Sequence, residues 1–307
     1  MIWDSALSIL TDALEILRAS AAALLIPAAI FAVLALVVKR RAAIPDARRA
    51  AGETRTNLAI YFLDALLIGP PLALLFALMQ RGFDAGGLRL IAPETWAALP
   101  FAAIAFLAVV AGDFIGYWRH RLEHTRPLWP SHAVHHSDTE MTWLALARFH
   151  PVSRLATHLI DNAFLFLLGF PPEAMVINNL LRHYWGHFIH ADLPWTFGPL
   201  GKIVVSPAMH RWHHALDRRA HGTNFATIFS LFDRLFGTWR VPGPCPGPLG
   251  VAADMGRGLA GQLAYPLKPE AYRWRKPAPG GGGTPLPLVG RGRVAGRDRV
   301  RGYGVES

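Results

Sequence analysis

The chain has a single cysteine, Cys245, in 307 residues. That excludes an intramolecular disulfide and any multi-thiolate zinc or iron–sulfur site, so a bound metal must be held by nitrogen and oxygen. Charge is also sparse. Asp, Glu, Lys and Arg make up 17% of residues against 52% apolar, and mean hydropathy is positive, the balance of a membrane protein. No flavin, NAD or iron–sulfur motif appears, so redox chemistry would draw its electrons from another protein. The first 20 residues carry Asp4, Asp12 and Glu15 without a basic n-region, which argues against a cleavable signal peptide and for an amphipathic or interfacial helix. Histidine is absent from the first 119 residues, and all 14 histidines fall between His120 and His221.

Long apolar runs are plentiful. Residues 21–38 carry no charge, and 57–79 and 97–118 carry one acidic residue each, Asp64 and Asp113. Each is long enough to cross a hydrocarbon core that takes about 20 helical residues. A fourth apolar region, 155–181, is interrupted by "GFPPE" at 169–173, and the proline pair predicts a helical hairpin or re-entrant pair. The loop "KRRAAIPDARRAAGETR" is strongly basic and is expected on the cytoplasmic side, which puts the chain after Trp118 there too. A net charge of +10 would suit nucleic acid in a soluble protein. Here the basic residues sit in loops and the tail, so anionic lipid is the expected partner and nucleic acid is not. Three regions follow: membrane helices and a basic loop over 1–95, a catalytic domain over 96–241, and a Pro/Gly/Arg-rich, disordered tail over 242–307. The fold class expected is all-α, a multi-span helical membrane protein with a cytoplasmic histidine-rich helical cap.

The histidines are patterned. "HRLEH" supplies His120 and His124; "HAVHH" supplies His132, His135 and His136; "HRWHH" repeats that spacing with His210, His213 and His214. On a helix, positions i, i+3 and i+4 share one face. "RHYWGHFIHAD" adds His183, His187 and His190 at helical spacing. Imidazole suits zinc, copper, iron and nickel alike, but number discriminates: a structural zinc takes four ligands and a catalytic zinc three. The surplus points to two ions sharing one site. Two irons can reduce dioxygen and attack unactivated C–H bonds, beyond the reach of acid–base groups.

From about Asp113 to Trp239 the chain resembles the fatty acid hydroxylase and sterol desaturase superfamily of integral-membrane di-metal oxygenases. The resemblance is carried by "DFIGYWRHRLEH", "LWPSHAVHHS", "RFHP", "FIHAD", "SPAMHRWHH" and "NFATIFSLFDRLFGTW", in the family's order. It departs at Phe232, where the family usually has tryptophan, and at Asn224-Phe225-Ala226, where Asn-Tyr-Gly is common; both changes bear on packing more than chemistry. The resemblance implies that His120, His124, His132, His135, His136, His190, His210, His213 and His214 ligate metal, with His187 a tenth candidate. It implies a di-iron centre, with zinc able to take its place in purified protein. It further implies an O2-dependent oxidoreductase of the bacterial inner membrane that hydroxylates or desaturates a lipid drawn from the bilayer, using a ferredoxin- or cytochrome-type donor.

Asp113 lies seven residues before His120 and is expected to orient a ligand imidazole, because a carboxylate within a membrane helix needs a partner. Glu123 and Asp233 are candidates for the same task, as are Asp138 and Asp217. His150, near the site by resemblance, is left between a local hydrogen bond and ligation; His158 is expected in a structural role, and His183 and His221 either near the ligands or on the surface. Trp118, Trp129, Trp143 and Trp185 are expected as interfacial anchors or core. Two rivals remain. "HRLEH" also fits the inverted zinc-protease pattern with Glu123 as general base, which leaves both HxxHH copies idle. A non-catalytic metal or haem carrier would need a polar route across the bilayer, whereas these histidines cluster on one side.

Overall fold

The computed structural model describes residues 2–256, 258–272, 274–275 and 286–287. Its architecture is helical, and among the described residues the strands are the two-residue pair Trp274–Arg275 and Leu286–Pro287. Three helical stretches are long and apolar enough to cross a membrane: Ser8–Arg49, Ala51–Gly86 and Phe101–Glu123.

The first differs from expectation. In place of an amphipathic helix followed by a span, a single helix α1 runs Ile2–Lys39 with Pro27 inside it, and α2 (Ala43–Arg49) follows. Its apolar side chains continue without a turn signal, and a proline within a membrane helix costs one backbone donor that neighbouring groups absorb. The second span joins α3 (Ala51–Leu63) to α4 (Gly69–Gly86) through a π turn at Asp64–Ile68. That wider turn accommodates Pro70 and Pro71, which have no N–H for the regular ladder. Asp64, in the turn, is paired with Arg154 at 2.5 and 3.0 Å, so its charge is compensated.

After the short α5 (Pro93–Ala97), α6 (Phe101–Glu123) forms the third span. The most apolar window of the first span is 6% buried and that of the second 0%, against 44% for α6; α6 is therefore the central helix. It packs on α8 (Pro151–Leu167) and α9 (Pro172–His190). These two are the expected hairpin. Gly169, at φ +72°, closes α8 with a bond from Phe170 N to Leu165 O of 3.2 Å, a Schellman-type end that only glycine adopts without strain. Trp96, Ile104, Ala108, Leu165, Phe166 and Met175 form the apolar core at this end.

Beyond α6 lies a cap of short elements: α7 (Trp129–His132), a 3-10 turn at His135–Ser137, a second at Trp143–Ala147, α10 (Pro207–His213) and α11 (Leu231–Leu235). Part of the tail expected over 242–307 lies within the described residues and is folded. Residues 242–256 and 258–272 include α12 (Gly258–Ala264), which packs on α3. Ser137 Oγ donates to Gln262 Oε1 at 2.9 Å, and Met255, Tyr265 and Ala271 share a core with Trp129 and Ala133. A few apolar anchors suffice to fold this proline-rich stretch down. The Gly/Arg-rich end of the chain lies outside the described residues.

Two glycines set the α6–α9 approach. A Cβ on Gly112 would collide with the Asn178 side chain, and one on Gly116 with the Arg182 guanidinium. That guanidinium reaches Asp161 Oδ2 at 2.8 Å. Gly116→Val is expected to destabilise the protein by about 1–3 kcal/mol, the usual cost of overpacking. Thermal unfolding in detergent checks this; an unchanged midpoint would show that α6 and α9 are not held at this distance.

Candidate metal centre

Two groups of histidines lie side by side in the cap. His120, His124, His132, His136 and His213 form one; His135, His190, His210 and His214 form the other, and within each group one nitrogen per ring lies within 4.8 Å of the rest. All nine are buried except His124, which is partly so. Local structure explains each position. His120 and His124, four apart at the end of α6, share a face. α10 starts on the Ser206 cap, whose Oγ accepts from Met209 N at 3.2 Å, with Pro207 at the first helical position; both features favour helix initiation. His190 is the last residue of α9.

"HAVHH" does not put its three rings on one face. His132 ends α7 and His135 begins a 3-10 turn, so His132 and His136 enter the first group and His135 the second. "HRWHH" does the reverse: His210 and His214 enter the second group and His213 the first. Each motif lends its i+3 histidine to the group built on the other. His136 and His214 stack between the groups, with centroids 4.2 Å apart and planes at 20°.

The hydrogen bonds assign the protons. His120 Nδ1 donates to Phe225 O at 2.7 Å, His213 Nδ1 to Thr223 O at 2.7 Å, His190 Nδ1 to Gly186 O at 2.6 Å and His135 Nδ1 to Arg148 O at 3.3 Å. A neutral imidazole has one N–H, so these four rings present a bare lone pair at Nε2. Yet His120 Nε2 faces His213 Nε2 at 3.0 Å, and His190 Nε2 faces His135 Nε2 at 3.2 Å. Facing lone pairs repel unless a cation lies between them. A proton is disfavoured: burial pushes His135 well below the usual imidazole range, His213 to about 4 and His190 to about 3. A metal ion fits. Two nitrogens bound at right angles, each about 2.1 Å from one ion, lie about 3.0 Å apart. His210 Nε2 lies 3.0 Å from His190 Nε2 and 3.1 Å from His214 Nε2, and His132 and His136 are 3.2 Å apart through Nε2. His124 Nε2, buried in the first group, has no hydrogen-bond partner.

Not every predicted residue reaches the centre. His187 lies outside both groups: its Nδ1 donates to Trp143 O at 2.9 Å and its Nε2 meets His183 Nε2 at 3.2 Å. Of the two roles open to His150, the local hydrogen bond is the one present: its Nδ1 accepts from Val152 N at the start of α8, and its ring is in neither group. His158 packs against Phe76, and His221 stays outside the groups. Trp129 is more than an anchor, lying 5.0 Å from His124 and 5.3 Å from His136 between ring centroids.

Of the five acidic candidates, Glu123 touches the centre. Its Oε2 accepts from Arg119 Nη1 at 2.5 Å and lies 3.6 Å from His132 Nδ1. Asp113 orients no imidazole; it accepts backbone N–H bonds from Thr227, Ile228 and Phe229 at 2.7–3.1 Å. Asp233 accepts from Phe225 N, Ala226 N and Thr238 Oγ1 at 2.7–2.9 Å, with burial pushing its carboxyl up to about 6. Both clamp the 224–230 segment, whose Phe225 carbonyl holds His120. Asp138 binds Asn57 and the Glu140 N–H, and Asp217 pairs with Arg219. Sequence reasoning passed over Arg148, whose carbonyl holds His135 and whose side chain is buried against Asn57, Ser137 and Glu53. A fully buried arginine leaves no signature of spacing. Asn224, at φ +62°, likewise joins the segment to Met209 O and Arg240 O.

Residues 105–238 match the fatty acid hydroxylase family. That stretch is a fatty acid hydroxylase domain. It is 31% identical over 177 residues to an ornithine lipid hydroxylase of Rhizobium tropici, covering 57% of this chain and 53% of that protein. It is 33% identical over 153 residues to human alkylglycerol monooxygenase (48% and 31%), and 30% identical over 131 residues to a Gibberella zeae Delta(7)-sterol 5(6)-desaturase (42% and 36%). The chain thus spans about half the length of the first and about a third of the others. No solved structure matches it. The family match holds all nine grouped histidines and leaves α1 to α5 outside.

The crossed arrangement is testable. His132→Ala/His213→Ala strips two rings from one group, whereas His135→Ala/His213→Ala takes one from each. Elemental analysis is expected to find close to one ion per chain in the first double variant and depletion of both ions in the second. Equal metal content in the two would sink the assignment of His135 and His213 to opposite groups.

Proposed function

We propose that the protein is a membrane-bound di-iron oxygenase that inserts oxygen into, or removes two hydrogens from, a lipid C–H bond using O2 and electrons from an external donor. The observation that carries this reading is the pair of adjacent groups of buried imidazoles whose lone pairs face one another. Two irons held there would supply dioxygen reduction and C–H oxidation. The chain's residues do the rest. Backbone carbonyls at 148, 186, 223 and 225 fix the tautomers of four rings. Arg119 and Glu123 set a carboxylate beside His132, the kind of outer partner that aligns a ligand and tunes its basicity. Burial keeps water from the centre.

A lipid substrate follows from the setting, since the centre sits at the ends of membrane-crossing helices and relatives are named for ornithine lipid, alkylglycerol and sterol. Hydroxylation is our first reading. Desaturation stands second, because a sterol desaturase is among the relatives. The electron donor is of ferredoxin or cytochrome type, and the basic residues of 39–55 support a centre on the cytoplasmic side of a bacterial inner membrane, near anionic lipid. The protease reading loses support at Glu123, whose carboxylate is engaged by Arg119 instead of standing free as a base.

Iron-loaded protein given a chemical reductant, 18O2 and total membrane lipid is expected to yield a lipid carrying one 18O atom, or one two hydrogens lighter, by mass spectrometry. Glu123→Gln should keep its metal and lose roughly 10–100-fold in rate, as outer-shell partners do. An iron-loaded protein that leaves every lipid unchanged would refute the oxygenase reading.

Orientation has its own check. Reporter fusions after Arg49 and after Phe236 should report the same, cytoplasmic compartment; opposite compartments would overturn the topology.

A further inference from the structure

Helices α1 to α3 lie outside the family match, yet with the cap they enclose a cleft of about 540 Å³. Pockets that bury a small organic ligand run from roughly 300 to 1,000 Å³. One wall is a small-residue face of α1, where Ala28, Ala32 and Ala35 recur at helical spacing beside Phe31. The facing wall is Trp143, Leu144, Ala191 and Leu193 of the cap. Phe31 and Trp143 stack across it, centroids 5.2 Å apart. From Ala28 to Lys39 is eleven positions along α1, or about 16 Å at 1.5 Å each.

The far end changes character. Lys39, Arg55, Glu140 and Asp192 line it, at the basic margin that follows α1. Lys39 is committed to Asp46 at 3.0 Å and to Asp192. Glu140 lies 3.9 Å from Arg49. Arg55, exposed on α3, makes no ion pair or hydrogen bond among the described residues. The cleft is thus apolar at hydrocarbon depth and ends at an uncommitted cation at head-group level. That is the layout of a single lipid molecule set upright in a leaflet. The most apolar window of the first span is 6% buried, so acyl chains are what surround the cleft. The floor also adjoins the second histidine group, since Ala191, which lines it, directly follows His190.

We propose that this cleft seats the acyl chain of a lipid whose head group carries an anion, phosphate or carboxylate, bound by Arg55. Resting on the oxygenase reading, it is the place from which that lipid is presented to the His135 group, and the N-terminal helices select substrates by head-group charge.

The test uses full-length, metal-loaded protein in detergent and two probes with the same chain, oleoyl lysophosphatidic acid and monooleoylglycerol, with binding measured by native mass spectrometry. Wild type is expected to prefer the phosphate-bearing probe. Arg55→Gln should weaken that probe by about tenfold, the loss of one charge-assisted contact, and leave monooleoylglycerol unchanged. Ala32→Trp should weaken both by filling the apolar end, and both variants should keep wild-type metal content. Equal affinity of wild type for the two probes, or an Arg55→Gln variant that binds like wild type, overturns the proposal. Arg55 is exposed on a surface, so its test stands even where the tryptophan variant does not fold. Charge-selective binding without any O2-dependent lipid product would leave the cleft assignment intact and defeat the oxygenase reading alone.

Discussion

Nine imidazoles crowded together, with at least four aimed at one another through unprotonated nitrogens, are an arrangement that a folded chain does not adopt cheaply. Burial denies the rings protons, the carbonyls at 223, 225, 186 and 148 take up the N–H each ring has, and the remaining lone pairs have nowhere to go but inward. The chain holds a concentrated electron-rich space. Much of the cap can be understood as what keeps it from springing apart.

The braces are ionic and sit one step back. Asp113 and Asp233 direct their oxygens mainly to backbone N–H groups of 225–229. Arg148 ties the 3-10 turn carrying His135 to α3 through Asn57 and Glu53. Arg119 and Arg182 converge on Asp161 of α8 from α6 and α9. Each buried charge has partners, as it must where an unpaired one is so costly. Together they connect the histidine elements to the three helices that carry them, so that a shift of α9 against α6 would be felt at His190.

Much of this was legible in the residues. Histidine spacing marked the elements that bear the two histidine groups, apolar runs marked three stretches long enough to cross a membrane, and "GFPPE" marked the hairpin. What escaped depended on geometry that one-dimensional spacing does not carry. "HAVHH" reads as one helical face, but α7 ends at His132 and the tighter 3-10 turn that follows sends His135 elsewhere. His187, in register on α9, is diverted by the Trp143 carbonyl. Asp113 shares a helix face with His120, yet three amides of a segment more than a hundred residues away claim it first. The proline-rich stretch after 241 looked unable to form a core because its few apolar residues pack against Trp129 and Ala133, not against each other.

The crossing of the two HxxHH motifs carries a consequence for how the protein is made. Neither group is complete until both motifs are present, and His210 follows His136 by 74 positions (210 − 136). At about 5–20 residues per second, a nascent chain exposes His120 to His136 for several seconds before their counterparts exist. During that interval the early histidines form only part of each cage, and α9 and α10 must still dock. A cation held by every ring of either group would thus find its full set of imidazoles only once α9 and α10 have docked.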